Sequence, residues 1–196
     1  VDVTVDGELV LPVAPGADQH PALDLANSAV ALPAGHFVDL LGTPTAAERW
    51  LLAHDLVPAG AELHMREMCA ARMRTLREQI RVLLDCLLAQ HPAPTEAVAA
   101  VNDAMTKAPA ASLLHWDAAN GPHRATAHPT TQLVDHALAV LAADAADLLT
   151  TADAERLTAC GSPPCNRYLL RHGRRQWCST RCGDRVRAAR AYARRS

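Results

Sequence analysis

At 196 residues, 49% of them hydrophobic and 20% charged, the chain is long enough for one domain with its own core plus a small module. Its net charge of −2 averages two unlike parts: residues 156–196 hold eleven arginines against the single acid Asp184, a net +10, while residues 1–155 sum to −12. No apolar run reaches the ~18 residues of a membrane span, and the start VDVTVDGELV lacks the basic and apolar regions of a signal peptide, so a membrane or secreted protein is not expected and the compartment reads as cytoplasmic and reducing.

Residues 3–13, VTVDGELVLPV, alternate loosely about Asp6-Gly7 and predict a short strand pair. HPALDLANSAVAL (20–32) is apolar and fits helix or strand. Asp24 and Asn27 are polar within it; hydrogen bonding to buried backbone is the favoured reading, a ligand cleft the other. Thr45 and Glu48 have capping-box spacing and predict a helix through about His54, with Trp50 and Leu51 inward. Pro58 and Gly60 break the chain.

The longest periodic stretch is 61–90, where Cys69, Met73, Leu76, Ile80, Leu83 and Leu87 fall on one helical face. Arg74 with Glu78 and Arg81 with Asp85 are spaced to pair on the polar side. Cys69 and Cys86 read as small buried hydrophobes. A helix over 95–107 carries Val98, Val101 and Met105 on one side. Residues 113–128 have two extended arms around Asn120-Gly121 and predict a hairpin, with His123 and His128 read as surface histidines. A helix from Pro129 to about Leu149 turns Val134, Leu138, Leu141, Leu148 and Leu149 inward, and residues 150–155, TTADAE, read as a polar hinge. The expected fold is α+β: a helix-rich body over 1–152 with one small antiparallel sheet, then a second unit over 153–196.

That second unit holds Cys160, Cys165, Cys178 and Cys182 in the pattern C-x4-C-x12-C-x3-C. Two short-spaced pairs about a dozen residues apart predict a structural Zn²⁺ held by four thiolates with no open position, so metal-assisted hydrolysis is not expected and His172 has no place in the shell. The Gly161–Pro164 turn reads as a knuckle, the segment around His172-Gly173 as a hairpin, and Ser179 as the cap of a helix with Cys182 in its first turn. Knuckle, hairpin and helix in that order make a treble-clef-like finger. On the helix, Val186, Ala189 and Ala193 form an apolar stripe toward the finger, Arg187, Arg190 and Arg194 one charged row, and Arg181 and Arg185 another. With Arg171, Arg174 and Arg175 before it, these arginines are the candidate nucleic-acid contacts, because guanidinium forks suit phosphate and guanine. Docking of the basic tail on the acidic body is the alternative.

The tail resembles the CGNR zinc-finger family in CGSPPC (160–165), RRQWCS (174–179) and Cys182-Gly183-Asp184-Arg185, with Asp184 where the family has Asn. HPALDLANSAV, DLLGTPTAAERWLLAHDL (39–56) and MRTLREQIRVLL are similar to the ABATE domain that precedes the finger in that family. The resemblance implies a stress-related bacterial transcription regulator: a DNA-binding finger, a body that is regulatory or senses a small-molecule effector, a homodimer, and a place at the nucleoid. An RNA-binding or protein-interaction module built on the same finger, and an enzyme of the body, are the other readings. Against the enzyme, the chain has no H-E-x-x-H, no G-x-S-x-G and no Gly-rich phosphate loop.

Overall fold

The structure, a computed structural model, describes residues 3–5, 8–61, 63–108, 112–126 and 132–195. Strands β1 (Val3–Val5) and β2 (Glu8–Val10) pair antiparallel as expected, while Asp6-Gly7, His128 and Pro129 lie outside the described residues. The ambiguous stretch resolves both ways. Pro21, with its φ already helical, opens α1 (Pro21–Ala26); the chain then turns at Asn27 into β3 (Ala29–Ala31), which pairs with β4 (Phe37–Asp39).

Helix α2 (Pro44–Ala53) begins earlier than the capping-box spacing indicates. Thr43 is the cap, its hydroxyl accepting from Ala46 N at 3.2 Å, because Pro44 suits the first helical position; Thr45 and Glu48 are inside the helix. Trp50 and Leu51 are buried as expected. Helix α3 (Glu67–Ala89) starts later than its pattern. His64 is in the left-handed region (φ 43) and Arg66 is extended, so Leu63 and Met65 reach the core from non-helical backbone. Cys69 and Cys86 are half-buried rather than core residues.

Met73, Leu76, Ile80 and Leu83 of α3 are buried, but its polar side does not form the expected ladder of neighbouring pairs. Arg74 pairs with Glu67 and donates to Leu41 O; Arg81 donates to Ala26 O (2.6 Å) and Asn166 O (3.1 Å); Asp85 accepts from Tyr168 Oη (2.8 Å). Arg77, only 4% exposed, takes both oxygens of Asp39 at 2.6 and 3.0 Å. A face that reads as solvated is an interface, because α1, β4 and the C-terminal strands pack over it.

Helices α4 (Thr95–Lys107) and α5 (Leu133–Thr150) pack on each other and on α3. On α4, Ala97 and Val101 are buried and Met105 is packed, but Val98 is 42% exposed, against expectation. On α5, Leu138, Leu141 and Leu148 are buried, and Val134 and Leu149 are half-buried. Between them β5 (Ser112–Asp117) and β6 (Gly121–Thr126) form the expected hairpin; Asp117 accepts from Ala119 N and Asn120 N, and Gly121 takes the positive φ of 63° that the turn needs. His123 stacks on His115 beside Asp117 on this exposed arm.

Residues 150–155, expected as a polar hinge, have regular structure, with Thr150 the last residue of α5. They close into a 3-10 turn, Ala152–Arg156, leading into β7 (Leu157–Ala159), which pairs with β8 (Tyr168–Leu170). In place of one sheet, the described residues form four two-stranded ladders. Two asparagines stand in for the missing pairing. Asn27 accepts from Tyr168 N (2.7 Å) and donates to Tyr168 O (3.0 Å), and Asn166 does the same for Ala31 N and Ala29 O at 2.9 and 3.2 Å. Each side-chain amide satisfies a donor and an acceptor on a strand edge that would otherwise be orphaned. Asn27 thus has the structural role expected of it.

Strand β8 is buried on both faces. Tyr168 and Leu170 belong to the body core with Leu25, Met73 and Leu84, whereas Leu169 joins Ala14, Ala17 and three cysteines in a second core. Gly16 (φ 89) lies so close that a Cβ there would stand 2.5 Å from Leu170, so only glycine fits. No helix among the described residues is long and apolar enough to cross a membrane.

Candidate metal centre and basic helix

Cys160 leaves β7 and Cys165 precedes β8, so the Gly161–Pro164 turn is a knuckle at the tip of that hairpin. Backbone bonds shape it: Cys165 N donates to Ser162 O (3.0 Å) and Cys160 N to Arg167 O (2.8 Å). Cys178 and Cys182 flank the start of α6 (Thr180–Ala193), whose cap is Ser179, accepting from Cys182 N at 3.3 Å as the sequence indicates. The hairpin expected around His172-Gly173 does not form. Strand β8 pairs backward with β7, and residues 171–179 are irregular, held by Gly161 N to Gln176 O (3.0 Å).

All four sulfurs lie within 4.8 Å of one another, with Cys165–Cys178 at 3.6 Å and Cys178–Cys182 at 3.7 Å. A tetrahedral zinc with ~2.3 Å Zn–S arms needs sulfur–sulfur edges of about 3.8 Å, so the donor set fits one Zn²⁺. The surroundings suit thiolates. Cys178 N points to Cys160 Sγ at 3.5 Å and Arg185 Nη2 to Cys182 Sγ at 3.2 Å. Without the metal the four thiols share their protons unevenly: Cys165 and Cys178 draw the Cys160 thiol down to about 6 and the other three draw Cys182 far below the ordinary thiol range, while Cys165 and Cys178 are pushed far above it by the same contacts and by burial. A zinc with four sulfurs has no vacant position and acts as a structural staple. His172 is exposed and off the cluster, within 2.9 Å of Arg156 Nη2.

The predicted arginines divide. Arg185 is part of the centre: Nε bonds Ser162 Oγ (3.0 Å) and Nη2 bonds Ser162 O (3.2 Å) as well as the Cys182 sulfur. Arg187 pairs with Asp184 (2.5 Å) and lies 6.0 Å from the centre of the Trp177 ring. Arg190 and Arg194 are exposed on the outer turns of α6, Arg181 is exposed on its first turn, and Arg171, Arg174 and Arg175 are exposed in the irregular segment. The apolar stripe does not pack: Val186 is half-buried, and Ala189 and Ala193 are exposed because α6 projects beyond the finger core. Trp177 does pack on that core.

Ser162 and Gly183 escaped the sequence reading. Ser162 is wholly buried and donates to Cys182 O at 2.9 Å; a lone small polar residue in the knuckle was its only signal. A Cβ on Gly183 would stand 3.2 Å from the Trp177 ring, so the glycine lets that ring lie against the first turn of α6.

A polar chain joins body to finger. His20 Nδ1 meets Asp144 (2.8 Å) and its Nε2 meets Asp153 (3.2 Å); Asp153 also binds Arg156, which reaches His172. Burial alone would lower the His20 pKa, but the two carboxylates outweigh it and raise it above 6.5. His54, bonded to Asp24 at 2.7 Å, is raised likewise against its own burial. A raised folded pKa contributes stability that is complete below the unfolded value and disappears as pH climbs through the folded one. The urea midpoint of the zinc-loaded chain should therefore fall as pH rises from below 6.5 through the raised values, and the fall should shrink in His20→Gln. An identical pH profile in that variant would remove His20 from the account.

A helical body whose last strand pair ends in a closed four-thiolate knuckle, followed by an arginine-rich helix, defines a zinc-finger protein with a structural metal. Comparison with family models agrees. Residues 19–152 match the ABATE model, described as "Putative stress-induced transcription regulator", and residues 156–195 match the CGNR zinc finger. The chain belongs to the ABATE family and carries a C-terminal CGNR zinc finger. Comparison with the curated proteins finds no significant match.

Proposed function

We propose that the chain is a DNA-binding transcription regulator, not an enzyme, acting at the nucleoid as a homodimer under an effector sensed by the body. The observation that carries the reading is the placement of charge. Helix α6 projects from the zinc core with Arg181, Arg190 and Arg194 exposed, and Arg171, Arg174 and Arg175 are exposed beside it. The hydrogen bonds of Arg185 and the ion pair of Arg187 stay within the finger, and the exposed arginines supply the charge that a polyanion would meet. A rigid cationic helix is steered to polyanions at long range and releases counterions on contact.

The test is selection of bound fragments from genomic DNA by the zinc-loaded chain at near-physiological salt. A shared motif, two-fold if the chain acts as a dimer, supports the reading. No enrichment, or displacement of the bound DNA by RNA at lower concentration than by DNA competitor, overturns it. Arg190→Ala should lower the salt slope of DNA affinity by about 0.9, the share of one phosphate contact. Arg187→Ala should change it less, because Asp184 already offsets that charge. An unchanged slope in Arg190→Ala removes that residue from the interface.

A further inference from the structure

A cavity of about 260 Å³ lies where the body meets the finger. Its body wall is apolar, with Leu11, Val30, Leu32 and Pro33. Its finger wall is cationic: Arg167, Arg181 and Arg185 reach it, with Ser179 at the N-terminus of α6, and no carboxylate lines it among the described residues. Cys165, Cys178 and Cys182 border it, but a zinc occupies only the gap among the sulfurs, and the cavity continues to the body wall.

Arg167 lines the cavity from the strand side of the finger. It is 4% exposed, and its Nη1 donates to Pro12 O at 2.8 Å. Its Nε is buried with no hydrogen-bond partner. That nitrogen has no surface toward the cavity, so an occupant meets the charge of the guanidinium and not Nε itself. Arg185 already donates to Cys182 Sγ, so the negative charge of the metal centre is partly met from within the finger, and the helix N-terminus adds further positive potential. The volume is below the ~300–1,000 Å³ of drug-sized pockets, so the occupant is small.

We propose that this junction cavity binds a small organic anion, its carboxylate or phosphate on Arg167 and the adjoining arginine wall and its short apolar part on Leu11, Val30 and Leu32. This deepens the effector part of the function proposed above and does not depend on DNA binding. An occupant held here touches β3 of the body and α6 of the finger together, so it joins the sensing unit to the basic helix.

The test is calorimetric titration of the zinc-loaded full chain with octanoate, mono-octyl phosphate and inorganic phosphate. One-site saturable binding of an amphiphile is expected, with the better of the two identifying the head group and inorganic phosphate weaker than both. Arg167→Lys and Leu32→Trp should each weaken binding by about tenfold or more. Leu32→Trp fills the cavity from its half-buried body wall, Leu32 being no zinc ligand, and should keep full zinc content and helicity, which guards against misfolding of the arginine variant. In the unsubstituted chain the guanidinium resonances of the lining arginines, Arg167 among them, should shift on titration. Absence of saturable binding, equal binding of inorganic phosphate, or undiminished affinity in Leu32→Trp overturns the proposal. Failure of the DNA selection leaves these titrations intact, so the two readings fail separately.

Discussion

Cys178→Ser is expected to strip the zinc and melt residues 171–195 while the helices of the body persist. Cys178 is 1% exposed and approaches two other sulfurs at 3.6 and 3.7 Å, so its loss opens the whole shell. Zinc supplies about 10–16 kcal/mol to a structural finger, far more than the few apolar contacts of this segment can replace. The second core consists largely of the ligands themselves with Ala14, Ala17, Leu169 and Trp177, so without metal its centre is lost. The β7–β8 hairpin should survive in part, because Leu157, Tyr168 and Leu170 are anchored in the body. Hydrogen exchange by segment and bound zinc per chain check this; α6 amides that stay protected in the metal-free variant would sink the staple assignment. The DNA binding proposed above should fall with them. Because the ligands are thiolates, acid should also release the metal in the unsubstituted chain.

Arg77→Met should have the second-largest effect, a loss of about 3 kcal/mol of body stability, at the low end for breaking a buried ion pair. Arg77 is 4% exposed and binds Asp39 through two parallel bonds, with Ser28 Oγ at 3.2 Å and Glu78 at 2.9 Å. Methionine keeps much of the volume but leaves the Asp39 carboxylate in a half-dry site; its 21% exposure admits some water and moderates the loss. Burial would raise the Asp39 pKa, but the Arg77 bonds outweigh it and hold it below 3.8. A depressed folded pKa contributes stability that is present above the unfolded value and lost as pH falls through the folded one. Arg77→Met should erase that acid-side dependence as well as lower the urea midpoint. A variant that loses neither would show that the pair is a surface contact.

Zinc content and the basic helix were legible because both are written locally. Four cysteines at short spacings and a serine beside Cys178 state their chemistry within a few residues, and the helical period of α3 is visible in its own apolar positions. Helix starts were less legible. The capping-box spacing of Thr45 and Glu48 pointed two residues too late, although Pro44 at the first helical position marks Thr43 as the cap. The pairing expected along the α3 polar side failed because that side is covered: Arg77 reaches Ser28 and Asp39, and Arg81 reaches Ala26 and Asn166, none of them near in sequence.

By itself, then, the sequence determined the metal, its four ligands, the existence of the longer helices and the charge split between body and tail. The tertiary structure decided how the two units join. Asn27 meets Tyr168 across 141 positions, and Asn166 meets Ala29 across 137. Strand β8 serves two cores through alternate side chains, and Arg167 reaches the junction cavity from between them. Such pairings leave no period or spacing to read, because each side-chain amide and guanidinium acquires its partner only when distant backbone edges that need it are brought within bonding distance and away from water.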